Sequence, residues 1–230
     1  MTKAMILAAG RGERMRPLTD VMPKPLLDVG GTPLIGWHLR RLAAAGVRDI
    51  VINHAWLGAQ IEAELGDGAA FGVQIQYSAE TQALETAAGI ARALPLLGDA
   101  PFMVVNGDVF TDFDFTSLSK TAEQLPVSGA LAHLVLVPKA GYPTGRDLTL
   151  RDGMVQPCGE SDTPYTFCGI AAYQPAFFAG VPTDAAMPLL PCLLKAMAAG
   201  QVSGECYRGE WLDVGTVERL EFARSLVAAR

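Results

Sequence analysis

The chain has 230 residues, half of them hydrophobic, and its 24 Asp and Glu outnumber its 18 Lys and Arg to give a net charge of −6. This length suits one large α/β domain and argues against two full ones. The acidic balance argues against a nucleic-acid surface, and no apolar run approaches the roughly 18 residues of a membrane span. The four cysteines (Cys158, Cys168, Cys192, Cys206) stand far apart with no histidine at ligand spacing, so free thiols are expected rather than disulfides or zinc. With no signal-like leader before the first apolar run, the expectation is a soluble, cytoplasmic protein with no membrane or nucleic-acid partner, and the absence of an obvious extra repeat domain is compatible with a monomer.

Ala4-Met5-Ile6-Leu7 reads as a short buried strand leading into Leu7-Ala8-Ala9-Gly10-Arg11-Gly12-Glu13-Arg14-Met15-Arg16-Pro17-Leu18-Thr19, which Pro23-Lys24-Pro25 closes. After Pro33, Ile35, Leu39, Leu42 and Gly46 share one helical face, and Asp49 to Asn53 is a strand. Leu57, Ile61 and Leu65, stopped by Gly66, form the next helix, and Val73 to Tyr77 the next strand. Thr86 to Leu94 reads as a helix ended by Pro95, and Pro101 to Val105 as an apolar strand that stops at Asn106-Gly107-Asp108. This alternation predicts a doubly wound, mixed, mainly parallel sheet of Rossmann-like type.

Beyond Asp112 the pattern changes. Leu131 to Val137 is a strand, the turn-rich stretch from Pro138 to Pro164 predicts hairpins, and Thr166 to Tyr173 is a further strand. Leu189 to Met197 and Val217 to Val227 read as helices. The organisation expected is one domain over residues 1–230, with a nucleotide-binding half at 1–112 and a hairpin-rich acceptor half at 113–230.

The glycine-rich loop has the makings of a triphosphate cradle. Gly10 and Gly12 present bare N–H groups with no Cβ in the way, Arg14 offers a planar fork for phosphate, and Lys24 a mobile point charge. Spacing excludes the dinucleotide fingerprint, because Met15 stands where its third glycine belongs, and no Gly-Lys-Ser/Thr is present for a Walker loop. Asp108 follows an apolar strand in a sheet whose ligands sit beyond the strand ends, and Asp213 lies between a strand and a helix. Magnesium accepts one or two carboxylates plus substrate phosphates, so this pair suffices as metal ligands if the two meet. Otherwise Asp108 is a turn former and Asp213 a helix N-terminal acid. His38, His54 and His133 lack partners at metal or triad spacing and read as structural.

The joint pattern of Ala-Ala-Gly-x-Gly-x-Arg, Pro-Lys-Pro, Asn-Gly-Asp and Trp211-Leu212-Asp213-Val214-Gly215-Thr216 resembles the sugar-1-phosphate nucleotidylyltransferases over nearly the whole chain. Ile52 to Gly58 and Asn106 to Phe115 look most like the N-acetylmuramate-1-phosphate uridylyltransferases of cell-wall recycling. The resemblance implies magnesium-dependent attack of a sugar 1-phosphate on the α-phosphorus of a nucleoside triphosphate, here UTP, giving a UDP-sugar and pyrophosphate. It implies Arg14, Lys24, Asp108 and Asp213 as the catalytic set, and Leu7, Ala9, Gly10, Gly12, Glu13, Glu80 and Thr86 as further nucleotide contacts. A glycine is common in the family where this chain has Glu85, which leaves base preference open. The family's sugar-phosphate lysine is missing from Cys158-Gly159-Glu160-Ser161. Asn106, Gly145, Glu160 and Gly169 are the candidate sugar contacts, with Arg146 or a second metal ion as substitutes for the lysine. The alternatives are a glucose- or mannose-1-phosphate nucleotidylyltransferase, or a non-catalytic nucleotide-sensing subunit.

Overall fold

The computed structural model describes residues 2–139 and 147–229. In chain order the strands are β1 (Lys3–Leu7), β2 (Asp49–His54), β3 (Gln74–Ala79), β4 (Phe102–Asn106), β5 (Val109–Thr111), β6 (Ala132–Pro138), β7 (Leu148–Arg151), β8 (Met154–Pro157), β9 (Tyr165–Tyr173), β10 (Val202–Cys206) and β11 (Trp211–Asp213). The helices are α1 (Leu18–Val21), α2 (Leu34–Ala44), α3 (Gly58–Leu65), α4 (Glu85–Leu97), α5 (Phe115–Ser128), α6 (Leu189–Ala198) and α7 (Val217–Ala228).

One nine-stranded sheet runs in the order β3-β2-β1-β4-β9-β6-β10-β8-β7, and β5 and β11 form a separate two-stranded ribbon. The first four strands are parallel, and so are β6 and β10, while β9 runs antiparallel to both β4 and β6. Parallel strands need both faces covered. Ile35, Leu39 and Leu42 of α2, Ile61 and Leu65 of α3, and Leu118, Ala122 and Leu125 of α5 bury one face. Ile90 and Ala93 of α4, Phe177, Phe178, and Leu193 and Met197 of α6 bury the other. A third small core of Met15, Leu34, Phe110, Leu212, Val214 and Leu220 fixes the ribbon and α7 to the glycine-rich loop.

The apolar spacing after Pro33 yields α2, which Gly46 ends in a left-handed conformation (φ 81°). The Val47 N–H then donates to the Leu42 carbonyl, and the Gly46 N–H to Ala43. Pro95, in contrast to the sequence expectation, does not end α4. It sits in the last turn, where its missing N–H costs one hydrogen bond, and Gly98 terminates the helix by donating to the Leu94 carbonyl. Besides the short α1 and β5, helix α5 and strand β10 escape the sequence pattern. Helix α5 is interrupted by serines and threonines and carries Pro126, yet Phe115, Leu118, Ala122 and Leu125 are buried, and the Asp114 carboxylate caps it by accepting from the Thr116 N–H at 2.9 Å. Strand β10 is polar at Ser203 and Glu205 and is recruited by pairing with β6 rather than by its own hydrophobicity. The turn-rich stretch forms the hairpin β7–β8 around Asp152 and Gly153 (φ 49° and 76°), whereas α6 returns the chain to β10 by a helical connection. No helix among the described residues is long and apolar enough to cross a membrane, and all four cysteines are free.

Candidate functional site

At the carboxyl ends of β1, β2 and β4, a cavity of about 370 Å³ opens between the glycine-rich loop and the start of α4. Leu7, Ala8, Ala9, Gly10 and Arg11 form one wall, Lys24 and Pro25 another, and Asn53, Ala83, Glu85, Thr86, Asn106 and Asp108 complete the lining. Of the residues read from the sequence, Leu7, Ala9, Gly10, Lys24, Thr86, Asn106 and Asp108 thus meet around one space.

Two local features bring Asp108 there. The Gly107 N–H donates to the Leu7 carbonyl at 2.9 Å, and a Cβ on Gly107 would stand 2.7 Å from that same oxygen, so only glycine lets the turn after β4 press against the end of β1. Gly107→Ala is therefore expected to displace Asp108 and to lower kcat by about 10- to 100-fold. Steady-state kinetics beside a melting curve check it.

Lys24 is only 8% exposed, and its ammonium donates to Asp108 Oδ2 at 2.7 Å. The two charges neutralise each other at the cavity wall. Asp213 approaches from the ribbon: it pairs with Val109 in the ladder, and the Val214 N–H donates to the Asp108 carbonyl at 2.8 Å. Its carboxylate accepts from Arg219 Nη1 at 2.9 Å. Arg14 is exposed and lies outside the cavity lining, on the same side as Asp213. A Cβ at Gly215 would stand 2.7 Å from Arg14 Nη2 and 3.1 Å from Asp213 Oδ1, so Gly215 makes room for both. Asp108 and Asp213 are each partly exposed, on adjoining backbones, and two oxygen-donor side chains on one side of the cavity are the kind of set that a hard divalent cation accepts beside phosphate oxygens.

Gly12 (φ 70°) turns the loop back on itself. Its carbonyl accepts from the buried Thr19 hydroxyl at 2.8 Å, and a Cβ there would meet the Thr19 methyl at 2.8 Å. Arg11 locks the loop from outside, pairing with Asp20 at 2.6 Å, donating to the Thr19 carbonyl and lying 3.8 Å above the Trp56 ring. Glu13 is exposed beside Arg16, away from the cavity.

Glu80 is placed behind the site rather than in it. Buried to 6% exposure, it accepts from Asn53 Nδ2 at 2.7 Å and from the Leu84 N–H at 2.9 Å, while Asn53 Oδ1 accepts from the Ala8 N–H at 3.0 Å. This chain ties the cradle to the loop before α4. The family resemblance made Glu80 a nucleotide contact and left out Asn53, whose position at the end of a parallel strand beside β1 was the available signal. It also gave Arg11, Pro25 and Ala83 no part in the site.

On the acceptor side, Gly169 (φ 78°) packs against Asn106, which would lie 2.7 Å from a Cβ there. Glu160 is exposed on the loop after β8, and its neighbours Gly159 and Arg151 bind Asp162, so it does not reach this cavity. Gly145 and Arg146 lie outside the described residues. The histidines are structural: His54 bonds Glu62 at 2.7 Å, His133 bonds Ser203 at 3.0 Å, and burial pushes the His38 pKa down to about 4, leaving it neutral.

Residues 3–141 match the nucleotidyl transferase family. Over 229 residues the chain is 56% identical to an N-acetylmuramate alpha-1-phosphate uridylyltransferase of Neisseria meningitidis serogroup B, covering 99% of both. It is 37% identical over 224 residues to the enzyme of that name from Caulobacter vibrioides, covering 92% of this chain and 91% of the relative. A crystal structure from Bacillus anthracis in complex with a sucrose shares the fold at a TM-score of 0.85 and 22% identity, over 98% of this chain and 95% of that one. With its cradle, Lys24 and Asp108 gathered at one cavity, the chain belongs to the nucleotidyl transferase family, among the sugar-1-phosphate nucleotidylyltransferases.

Proposed function

We propose that this protein joins UTP and N-acetylmuramate 1-phosphate into UDP-N-acetylmuramate and pyrophosphate, with magnesium, in cytoplasmic recycling of the cell wall. The observation that carries the reading is the convergence of the Gly10 loop, Lys24 and Asp108 on one cavity, in a chain that matches a uridylyltransferase end to end.

An oxygen of the sugar phosphate forms a bond to the α-phosphorus as the bond to the β-phosphate oxygen breaks, and pyrophosphate leaves. A phosphate monoester with a second pKa near 6 is already mainly dianionic at pH 7, so no side chain has to remove a proton. The obstacle is repulsion between two anions, met by fixed donors and cations that hold the reacting atoms in line. The Gly10 and Arg11 backbone cradles the triphosphate, and Lys24 offsets charge at the α-phosphate and the incoming phosphate. Arg14 takes the outer phosphates. Asp108 and Asp213 would hold magnesium, which supplies further neutralisation of the phosphates when bound. The Asn53–Glu80 chain keeps the two walls in register without touching substrate. Asn106, backed by Gly169, faces the sugar.

The test is to incubate the protein with magnesium, all four triphosphates and a panel of sugar 1-phosphates, and to weigh the products. UDP-N-acetylmuramate is the expected product, lost on chelation of the metal. A hexose 1-phosphate product with another base would replace this reading, and triphosphate binding without any product would make the protein a sensor.

A further inference from the structure

Glu85 is the first residue of α4 and one of three described non-glycine residues with positive φ, at 64°. A left-handed backbone is strained for a side chain with a Cβ and is kept only where the surroundings enforce it. They do so on both sides. The Leu84 N–H is held by Glu80 at 2.9 Å and the Leu84 carbonyl by the Met187 N–H at 2.9 Å, while the Ala87 and Ala88 N–H groups both donate to the Met187 carbonyl. An acid in the first turn of a helix is ordinary, but that role needs no positive φ. Here Glu85 is exposed and lines the cavity together with Lys24, Thr86, Asn106 and Asp108.

We infer that Glu85 is a specificity-determining residue, whose carboxylate accepts a hydrogen bond from a neutral donor on the nucleoside of the bound triphosphate. A carboxylate accepts and does not donate, and it repels phosphate, so the triphosphate is left to the Gly10 loop and Lys24. What remains of a nucleotide is its base and ribose. Uracil carries a donor at N3–H where cytosine has a lone pair, and the ribose carries a 2′-hydroxyl that the deoxy form lacks. A site built around such a donor rejects the analogue without it, because the carboxylate is then left unpaired. The inference rests on the uridylyltransferase reading above.

The experiment measures kcat/KM of the full-length protein for UTP, CTP and dUTP with N-acetylmuramate 1-phosphate, in wild type, Glu85→Gly and Glu85→Gln, beside thermal melts. Glu85→Gly relieves the backbone and is expected to stay folded while kcat/KM for UTP falls by about 10- to 100-fold. The UTP to CTP ratio collapses by that factor if the donor is the base N–H, and the UTP to dUTP ratio if it is the 2′-hydroxyl. Glu85→Gln keeps one acceptor oxygen and retains part of the preference. Unchanged ratios in a folded Glu85→Gly protein overturn the inference, as does an equal loss with all three triphosphates, which would mark a purely positional role. Should Glu85→Gly not fold, unchanged ratios in Glu85→Gln overturn it instead. A wild type that prefers another triphosphate ends the uridylyltransferase reading, and the same ratios taken around that nucleotide still decide the part of Glu85.

Discussion

Lys24→Ala is expected to slow pyrophosphate release by about 100- to 1,000-fold, equivalent to about 2.7–4 kcal/mol at the transition state, while the protein stays folded. The ammonium sits at the cavity wall, 8% exposed and 2.7 Å from Asp108, so it is already placed where anionic oxygens must gather. Its loss removes a cation from a site that has to bring two anions together, and it also releases Asp108 as an uncompensated negative charge facing them. Folding survives because the Asp108 side chain, 36% exposed, can return to water. Lys24→Arg should rescue little, since the broad guanidinium fork cannot replace a compact charge in so enclosed a position. Assays of pyrophosphate release beside circular dichroism melts decide the matter, and near-normal turnover by Lys24→Ala would remove this residue from the chemistry.

Asp108→Asn and Asp213→Asn are expected to lose activity on the same scale and, in addition, to need more magnesium for half their maximal rate. The amide keeps the shape of each side chain and discards the charge that attracts a hard cation. Arg219 has a second hold on the Asp213 carbonyl at 3.3 Å, so it keeps its place when the carboxylate is neutralised, and an effect of Asp213→Asn reports on the site rather than on α7. Titration of magnesium against rate is the measurement. Midpoints unmoved in both variants would take the metal away from these carboxylates.

The parts of the fold legible in the sequence are those with an apolar run or a regular apolar spacing: β1, α2, β2, α3, β3, α4 and β4 in the first half, and β6, β9, α6 and α7 in the second. The chemistry legible there is carried by short contiguous motifs, in which Gly12 and Gly107 meet backbone needs that a residue with a Cβ cannot. Residues joined across the sheet leave no such trace. Nothing in the spacing of Asn53 and Glu80 reports that one amide bridges Ala8 to a buried carboxylate, so Glu80 looks like a ligand contact and Asn53 like plain strand. Helix α5 is hidden for a different reason. Its polar positions and Pro126 mask a face that becomes apparent only once the strands beneath it are in place. At Glu85 the sequence offers a departure from the family pattern but not its form. The backbone keeps a conformation suited to glycine in a residue that lines the cavity.

Strand β9 lies between β4 and β6, although it is made long after β4. As the polypeptide leaves the ribosome, the apolar flank of β4 has no neighbour on that side until Tyr173 is clear of the exit tunnel, and an unpaired strand edge is a template for association with other chains. Slow decoding between residues 112 and 165 would prolong that vulnerable interval. Yield in the cell should therefore respond to chaperone supply more than the melting temperature of the finished protein would suggest.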